Sequence, residues 1–312
     1  MDAAAAAIRV IVPIYLLISA GYLLKKTGLF SRNTLKEMNE SVFRLFLPML
    51  LFENMYQSDV RITDAGLIVY AAGCVFIIYS FCNVLISRLE KNRARAATVI
   101  QGMYRSNFAL LGIALTETMY GSGGTQVTGM LVAVIVPLYN VLAVILFERF
   151  CGNRNSGITD ILPGILRNPL IIGTLLGFLA GVSGIAIPDA VNSAAVSLAQ
   201  TAAPLALVVM GGTFELKKTV RNRKTLAAVA LARLFLIPAL FTAGAALCGY
   251  REKALYALFL MFATPAAVSS YSMACAMGGD EDLAGEIVLL TTVLSVFSIG
   301  TGIFVLKTMQ LI

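Results

Sequence analysis

Two apolar stretches of this chain carry polar residues where a membrane helix tolerates them least. Residues 101–112 hold Arg105 and Asn107, followed by Phe108 and Gly112. Residues 263–271 hold Thr264, Pro265, Ala266, Ser269, Ser270 and Tyr271. Proline removes a backbone donor and breaks the helical ladder. The freed groups are tolerated in lipid only where protein or a water-filled cavity satisfies them. If both segments break and cross, their half-helix N-termini present free N–H groups and positive dipole ends. That setting favours an anionic group such as a carboxylate, with hydrogen bonds from Asn107, Thr264, Ser269 and Ser270. The competing reading is a proline kink in which Ser and Thr bond their own helix backbone.

Arg105 needs a reason to sit in an apolar run, because a central arginine costs about 2.5–3.5 kcal/mol on insertion scales. Either it anchors a substrate anion or it forms a buried ion pair with Glu53 or Glu117. Glu53 and Asn54 follow Pro48. Asn54 joins the candidate substrate-binding set, which comprises Arg105, Asn107, Phe108, Gly112, Thr264, Pro265, Ala266, Ser269, Ser270 and Tyr271. Glu53 and Glu117 are the candidates for a coupling proton or cation, and the alternative for Glu53 is a helix end in the interfacial zone. Arg44 and Arg233 also fall in apolar segments and are expected to snorkel to an interface.

Other chemistry is excluded by what the chain lacks. It has no histidine, which removes most metal-hydrolase schemes and any His proton relay. Cys74, Cys82, Cys151, Cys248 and Cys275 are scattered, without C-x-x-C or metal-ligand spacing. No nucleophile–base set points to an enzyme. No cofactor is implied beyond Na⁺ or H⁺ as a coupling ion. The net charge of +7 comes without a basic–aromatic patch, so nucleic acid is not an expected partner.

The elements that must position these residues are membrane helices. Of 312 residues 58% are hydrophobic and only 13% charged, against about 25% charged in soluble domains, and the mean hydropathy is +0.84. With about 20 apolar residues per span, the chain divides into ten, near 6–24, 38–57, 66–87, 95–118, 127–149, 161–182, 188–212, 225–247, 254–277 and 284–307. The first run is expected to be retained as a span, because no basic n-region or cleavage site marks it as a signal peptide. Odd-numbered loops hold fifteen basic residues, Arg154 among them, whereas the others hold three, Arg61, Arg251 and Lys253. The positive-inside rule therefore puts both termini outside the cytoplasm of a multi-pass protein of the cell membrane. The acidic loop Gly278-Gly279-Asp280-Glu281-Asp282 is an exception on the basic side.

The halves, 1–150 and 151–312, resemble each other. Pro13 matches Pro169, Gly21 matches Gly177, Gly28 matches Gly184 and Pro48 matches Pro204, all 156 apart. Later the offset becomes 158, as for Gly121 and Gly279, or Met119 and Met277. Thr213-Phe214-Glu215 closes the mate of the Glu53 segment. Five spans per repeat is odd, so the repeats would be inverted, a frequent design of secondary transporters with the substrate site between the repeats. The expected fold is an all-α integral membrane protein of ten helices in two inverted five-helix repeats, with helices 4 and 9 broken and crossing at mid-membrane. Gly173, Gly177 and Gly181 form a small-residue ladder expected to serve close helix packing.

The run Ser106-Asn107-Phe108-Ala109-Leu110-Leu111-Gly112-Ile113-Ala114-Leu115, followed by Met119-Tyr120-Gly121, resembles a segment of the auxin efflux carrier family. That family includes plant PIN carriers and bacterial malate or malonate permeases. Supporting elements are Leu47-Pro48-Met49-Leu50, Arg167-Asn168-Pro169, Ala203-Pro204-Leu205 and Ala263-Thr264-Pro265. The resemblance implies a crossover fold like that of bile-acid/sodium symporters. Its scaffold domain would be spans 1, 2, 6 and 7 (6–57 and 161–212), its transport domain spans 3–5 and 8–10 (66–149 and 225–307). It implies an elevator-type carrier with substrate near Asn107 and Pro265, and a homodimer through scaffold helices. Ser106, Ala114 and Ala266 depart from the plant pattern, and the long central loop is absent. A small mono- or dicarboxylate therefore fits better than auxin. The alternative is a sodium symporter or cation/proton antiporter on the same fold; an antiporter would be expected to carry mid-membrane aspartates in spans 4 and 9, which have none.

Overall fold

The computed structural model describes residues 2–57, 64–152, 158–214 and 216–312. Arg61, Arg154 and Glu215 lie outside the described residues. The described chain is helical throughout: α1 (Asp2–Lys26), α2 (Arg32–Ser41), α3 (Leu47–Tyr56), α4 (Ala65–Leu89), α5 (Arg93–Tyr104), α6 (Ile113–Tyr120), α7 (Ser122–Cys151), α8 (Ile158–Arg167), α9 (Pro169–Val182), α10 (Asp189–Thr213), α11 (Leu216–Leu231), α12 (Ile237–Leu247), α13 (Glu252–Ala263), α14 (Val268–Ala276) and α15 (Glu281–Thr308). π-helical turns at Val42–Phe46, Phe108–Gly112 and Ala232–Leu236 precede α3, α6 and α12.

Among the described residues, five segments are long and apolar enough to cross a bilayer: Ala65–Leu89, Gly124–Cys151, Asp189–Thr213, Val220–Leu247 and Glu281–Thr308. Large apolar side chains stand on the exterior as well as in the interior. Leu16, Val69, Phe81, Leu240, Phe297 and Phe304 are all exposed, which only a lipid solvent makes favourable. This is a multi-pass membrane protein.

Polar caps set the helix starts. Ser31, Asp64, Asn92, Asn168 and Asp280 each accept a hydrogen bond from a backbone N–H two or three residues on, satisfying donors that a helix N-terminus leaves free. Asn168 also interrupts the segment expected to run unbroken over 161–182, because Pro169 starts a new helix behind it. The acidic loop before α15 has a structural reason. Asp280 Oδ1 caps α15 at Leu283 N (3.0 Å) while Oδ2 takes Arg95 Nη1 (3.1 Å).

Glycines let two helix pairs touch backbone to backbone. α1 packs along α10, where a Cβ at Gly21 would overlap the Val208 carbonyl; α3 packs along α9, where a Cβ at Gly177 would overlap the Phe52 carbonyl. Both pairs are one contact met twice, since their residue numbers differ by 156 (21 to 177, 52 to 208). Element boundaries recur likewise. α1 has its counterpart in α8–α9, the α2–α3 segment in α10, α5 in α13 and α7 in α15, each shifted by about 156–159 residues. Around α5 and α13 lie α4, α7, α11, α12 and α15, with Tyr104, Tyr139, Tyr256 and Phe262 fully buried among them.

Both polar segments interrupt their helices. α5 ends at Tyr104, Arg105 is extended (φ −88, ψ 117), and helix resumes in the π turn at Phe108. α13 ends at Ala263, and the extended Thr264 (φ −66, ψ 148) leads to α14. The two interruptions pair in a single antiparallel bridge, Ser106 with Ala266. Asn107 N donates to Pro265 O at 2.8 Å, and Pro265 has no N–H to return.

Candidate functional site

Because the backbone at Arg105 is extended rather than helical, its side chain reaches across to α7 and α14. Nη2 donates to Asn140 Oδ1 (2.6 Å) and to Ser269 Oγ (2.8 Å), and Nη1 reaches Met273 Sδ. Ser269 and Met273 lie one turn apart on α14, so a single helix face supplies both. Arg105 is 4% exposed, and every partner is neutral. Neither proposed carboxylate pairs with it. Glu53 is buried on α3, with Oε2 accepting from Gln57 Nε2 (2.7 Å) and Oε1 unpartnered. Glu117 is exposed on α6.

The guanidinium stands in the wall of a cavity of about 620 Å³, between the interrupted helices on one side and α1, α3 and α10 on the other. Pro13, Leu17, Leu50 and Pro204 make its apolar lining. Its polar lining is Asn54, Arg105, Ser106, Asn107, Tyr139, Asn140, Gln200 and Ser269, with no Asp or Glu among the described residues. Two amides have donors to spare. The Asn107 side chain makes no hydrogen bond among the described residues, and Asn140 Nδ2 is buried without a partner. Buried donors in native structures nearly always have an acceptor, and this wall offers an acceptor both free amide donors and a guanidinium that has no carboxylate partner among the described residues.

Of the residues singled out from sequence, Asn54, Arg105, Asn107 and Ser269 line this cavity. The others lie behind it. Phe108 is fully buried, and its ring covers Gly112 so closely that no side chain fits there. Pro265 and Ala266 form the pairing of the two interruptions. Thr264 is buried, with its carbonyl engaged by Arg233. Ser270 is 3% exposed with an unpartnered hydroxyl. Tyr271 turns to a second cavity, of about 640 Å³, where its hydroxyl meets Thr213 Oγ1 at 2.8 Å.

Arg233 corrects an expectation. It does not snorkel but is fully buried. Nε and Nη2 donate to Thr264 O (3.2 and 2.9 Å), Nη1 to Met103 O and Tyr104 O (3.2 and 3.4 Å), and Nη2 to Met261 O (3.5 Å). It sits in the π turn Ala232–Leu236, where the extra residue turns a side chain off the face that a regular helix would give it. Arg44 is exposed and pairs with Glu40 at 2.7 Å. Sequence reasoning also missed Asn140, Tyr139, Ser106 and Gln200. The one available signal was Asn140 itself, an amide closing Pro137-Leu138-Tyr139 in an apolar run.

Comparison with known proteins bears on this geometry. A family model described as membrane transport protein matches residues 6–161 and 158–301. A protein of Rhizobium meliloti (strain 1021) named "Putative malonate transporter" is 24% identical over 306 residues, 96% of this chain and 95% of its own. "Uncharacterized transporter YfdV" of Escherichia coli (strain K12) is 25% identical over 279 residues, covering 85% of this chain and 86% of its own. An "Uncharacterized transporter" of Methanothermobacter thermautotrophicus is 22% identical over 308 residues, 93% and 95% of the two chains.

Proposed function

The chain belongs to the family of membrane transport proteins that includes the auxin efflux carriers, and on that premise we propose that it is a secondary transporter for a small organic anion, a mono- or dicarboxylate. The observation that carries this reading is Arg105, a buried guanidinium without a carboxylate partner among the described residues, at the wall of a cavity lined by no acidic side chain. A cavity of about 620 Å³ has room for a small mono- or dicarboxylate. Malonate is the first candidate, because the relative from Rhizobium meliloti is named for it.

The mechanism proposed is alternating access with an elevator-type movement. Ten spans in two inverted five-helix repeats would cross at Asn107 and Pro265 in mid-membrane, with both termini outside the cytoplasm. The recurring boundaries and the twice-met glycine contact support the repeat. α1–α3 and α8–α10 would be the scaffold and the site of a homodimer. α4–α7 and α11–α15 would carry the substrate. The cavity lies between these two sets of helices, where sliding of one against the other would move the anion. Asn107 and Ser269 would hold its oxygens beside Arg105, and Asn54 would meet it from the scaffold side. Glu53, buried with one oxygen unpartnered, is the proposed site for a coupling proton.

A thermal-shift panel on the purified protein tests this reading. Malonate or malate should raise the melting temperature saturably, and choline chloride at equal ionic strength should not. Stabilisation by cations alone, with no carboxylate effective, would refute it.

A further inference from the structure

The last carbonyls of a helix have no intrahelical donor and carry the negative end of its dipole. Two helices, α5 and α13, end together at the paired interruptions, so their free carbonyls converge deep inside the protein. Such carbonyl clusters at broken helices are where transporters coordinate Na⁺. Here Met103, Tyr104, Met261 and Thr264 present that cluster, and the guanidinium of Arg233 already fills it with hydrogen bonds of 2.9 to 3.5 Å. Arg233 is fully buried, and its side-chain hydrogen-bond partners among the described residues are these carbonyls.

We infer that Arg233 is a tethered cation that occupies the place a coupling Na⁺ would take, so that transport by this chain is independent of sodium. The physical reason is competition for one site. A guanidinium donates up to five N–H bonds and cannot be released or deprotonated. Tethered to the chain, it neutralises both helix C-termini in this structure without a bound ion, whereas a soluble ion would do so only when bound. A bound Na⁺ would have to displace it into a buried apolar surround, leaving a charge without partners. Arg233 comes from α11–α12 and grips both half-helices, so it also fixes the register in which Asn107 and Arg105 are presented. It acts through those residues and touches no substrate.

The inference rests on the transport reading for its consequence, but its test needs no substrate. Purified wild type, Arg233→Ala and Arg233→Lys are compared for melting temperature in NaCl, choline chloride and millimolar guanidinium chloride, and for ²²Na⁺ binding. Wild type and Arg233→Lys should be indifferent to exchange of Na⁺ for choline and should bind no ²²Na⁺ saturably. Arg233→Ala should melt lower and recover most of the loss in guanidinium, with wild type unmoved by the same addition. Saturable ²²Na⁺ binding to wild type would overturn the inference, as would a folded Arg233→Ala that no cation stabilises. Should Arg233→Ala fail to fold, the wild-type and Arg233→Lys measurements decide alone. A sodium response in wild type would leave carboxylate transport standing without this inference. Failure of every carboxylate to bind, with guanidinium rescue intact, would do the reverse.

Discussion

Substituting Arg105 with Gln separates a substrate anchor from a structural cation, because the two roles move different observables. Glutamine keeps an amide that can still bond Asn140 or Ser269 but removes the charge. A carboxylate about 4 Å from a guanidinium gains about 4 kcal/mol at an effective dielectric of 20. The exchange of charge-assisted for neutral hydrogen bonds alone gives about 1–2 kcal/mol. With a factor of ten for each 1.4 kcal/mol, the anion should bind roughly tenfold to several-hundredfold more weakly. The ligand-free protein should behave otherwise. Its guanidinium is buried against neutral groups, so losing it relieves a desolvation cost of several kcal/mol while exchanging charge-assisted bonds of about 1.5–3 kcal/mol each for the neutral bonds of the glutamine amide. The melting temperature without ligand should hold or rise. Calorimetric titration with malonate and a melt without ligand read both quantities on one preparation. Unchanged affinity, or a ligand-free melt lowered as much as the affinity, would refute the anchoring role.

Asn140→Asp should place a carboxylate on Arg105 and neutralise the site from within, lowering anion affinity by about tenfold or more without lowering the melting temperature; undiminished binding would show that the Arg105 charge is not what the ligand meets. Asn107→Ala should abolish binding yet change stability by less than about 0.5 kcal/mol, since that amide bonds nothing in the described protein; a chemical melt alongside titration checks both. Gly177→Leu should cost about 1–3 kcal/mol or more through overpacking where α9 meets the Phe52 carbonyl, seen as a lower melt by size-exclusion thermostability. Tyr271→Phe removes a 2.8 Å bond to Thr213, worth about 0.5–1.5 kcal/mol. Labelling of Cys275, which lines the same cavity, should accelerate severalfold, and an unchanged rate would show that this bond does not restrict access to the cavity.

Much of the architecture was legible because membrane helices announce themselves by composition and because helix breakers have a local cause. Pro265 and the polar run from Arg105 to Asn107 located both interruptions, and the 156-residue offset of Pro48 and Pro204 anticipated counterparts that the glycine contacts repeat. The partners of Arg105 were not legible. Asn140 is 35 residues away and Ser269 is 164, and no local pattern encodes which buried polar groups share a pocket. Arg233 was misread for the same reason. Its place in an apolar helix suggested an interface, while its partners are carbonyls, which every residue has and no sequence distinguishes. Tyr271 followed the other candidates in sequence but points to the second cavity, because successive helical residues face different directions.

Uptake of labelled malonate, malate and indole-acetate into proteoliposomes tests the central claim most directly, with and without Na⁺ and pH gradients and with Asn107→Ala as the control. The account predicts saturable uptake of a small carboxylate that ignores sodium and is lost in the variant. Proton movement driven by a cation gradient, with no carboxylate taken up, would contradict it.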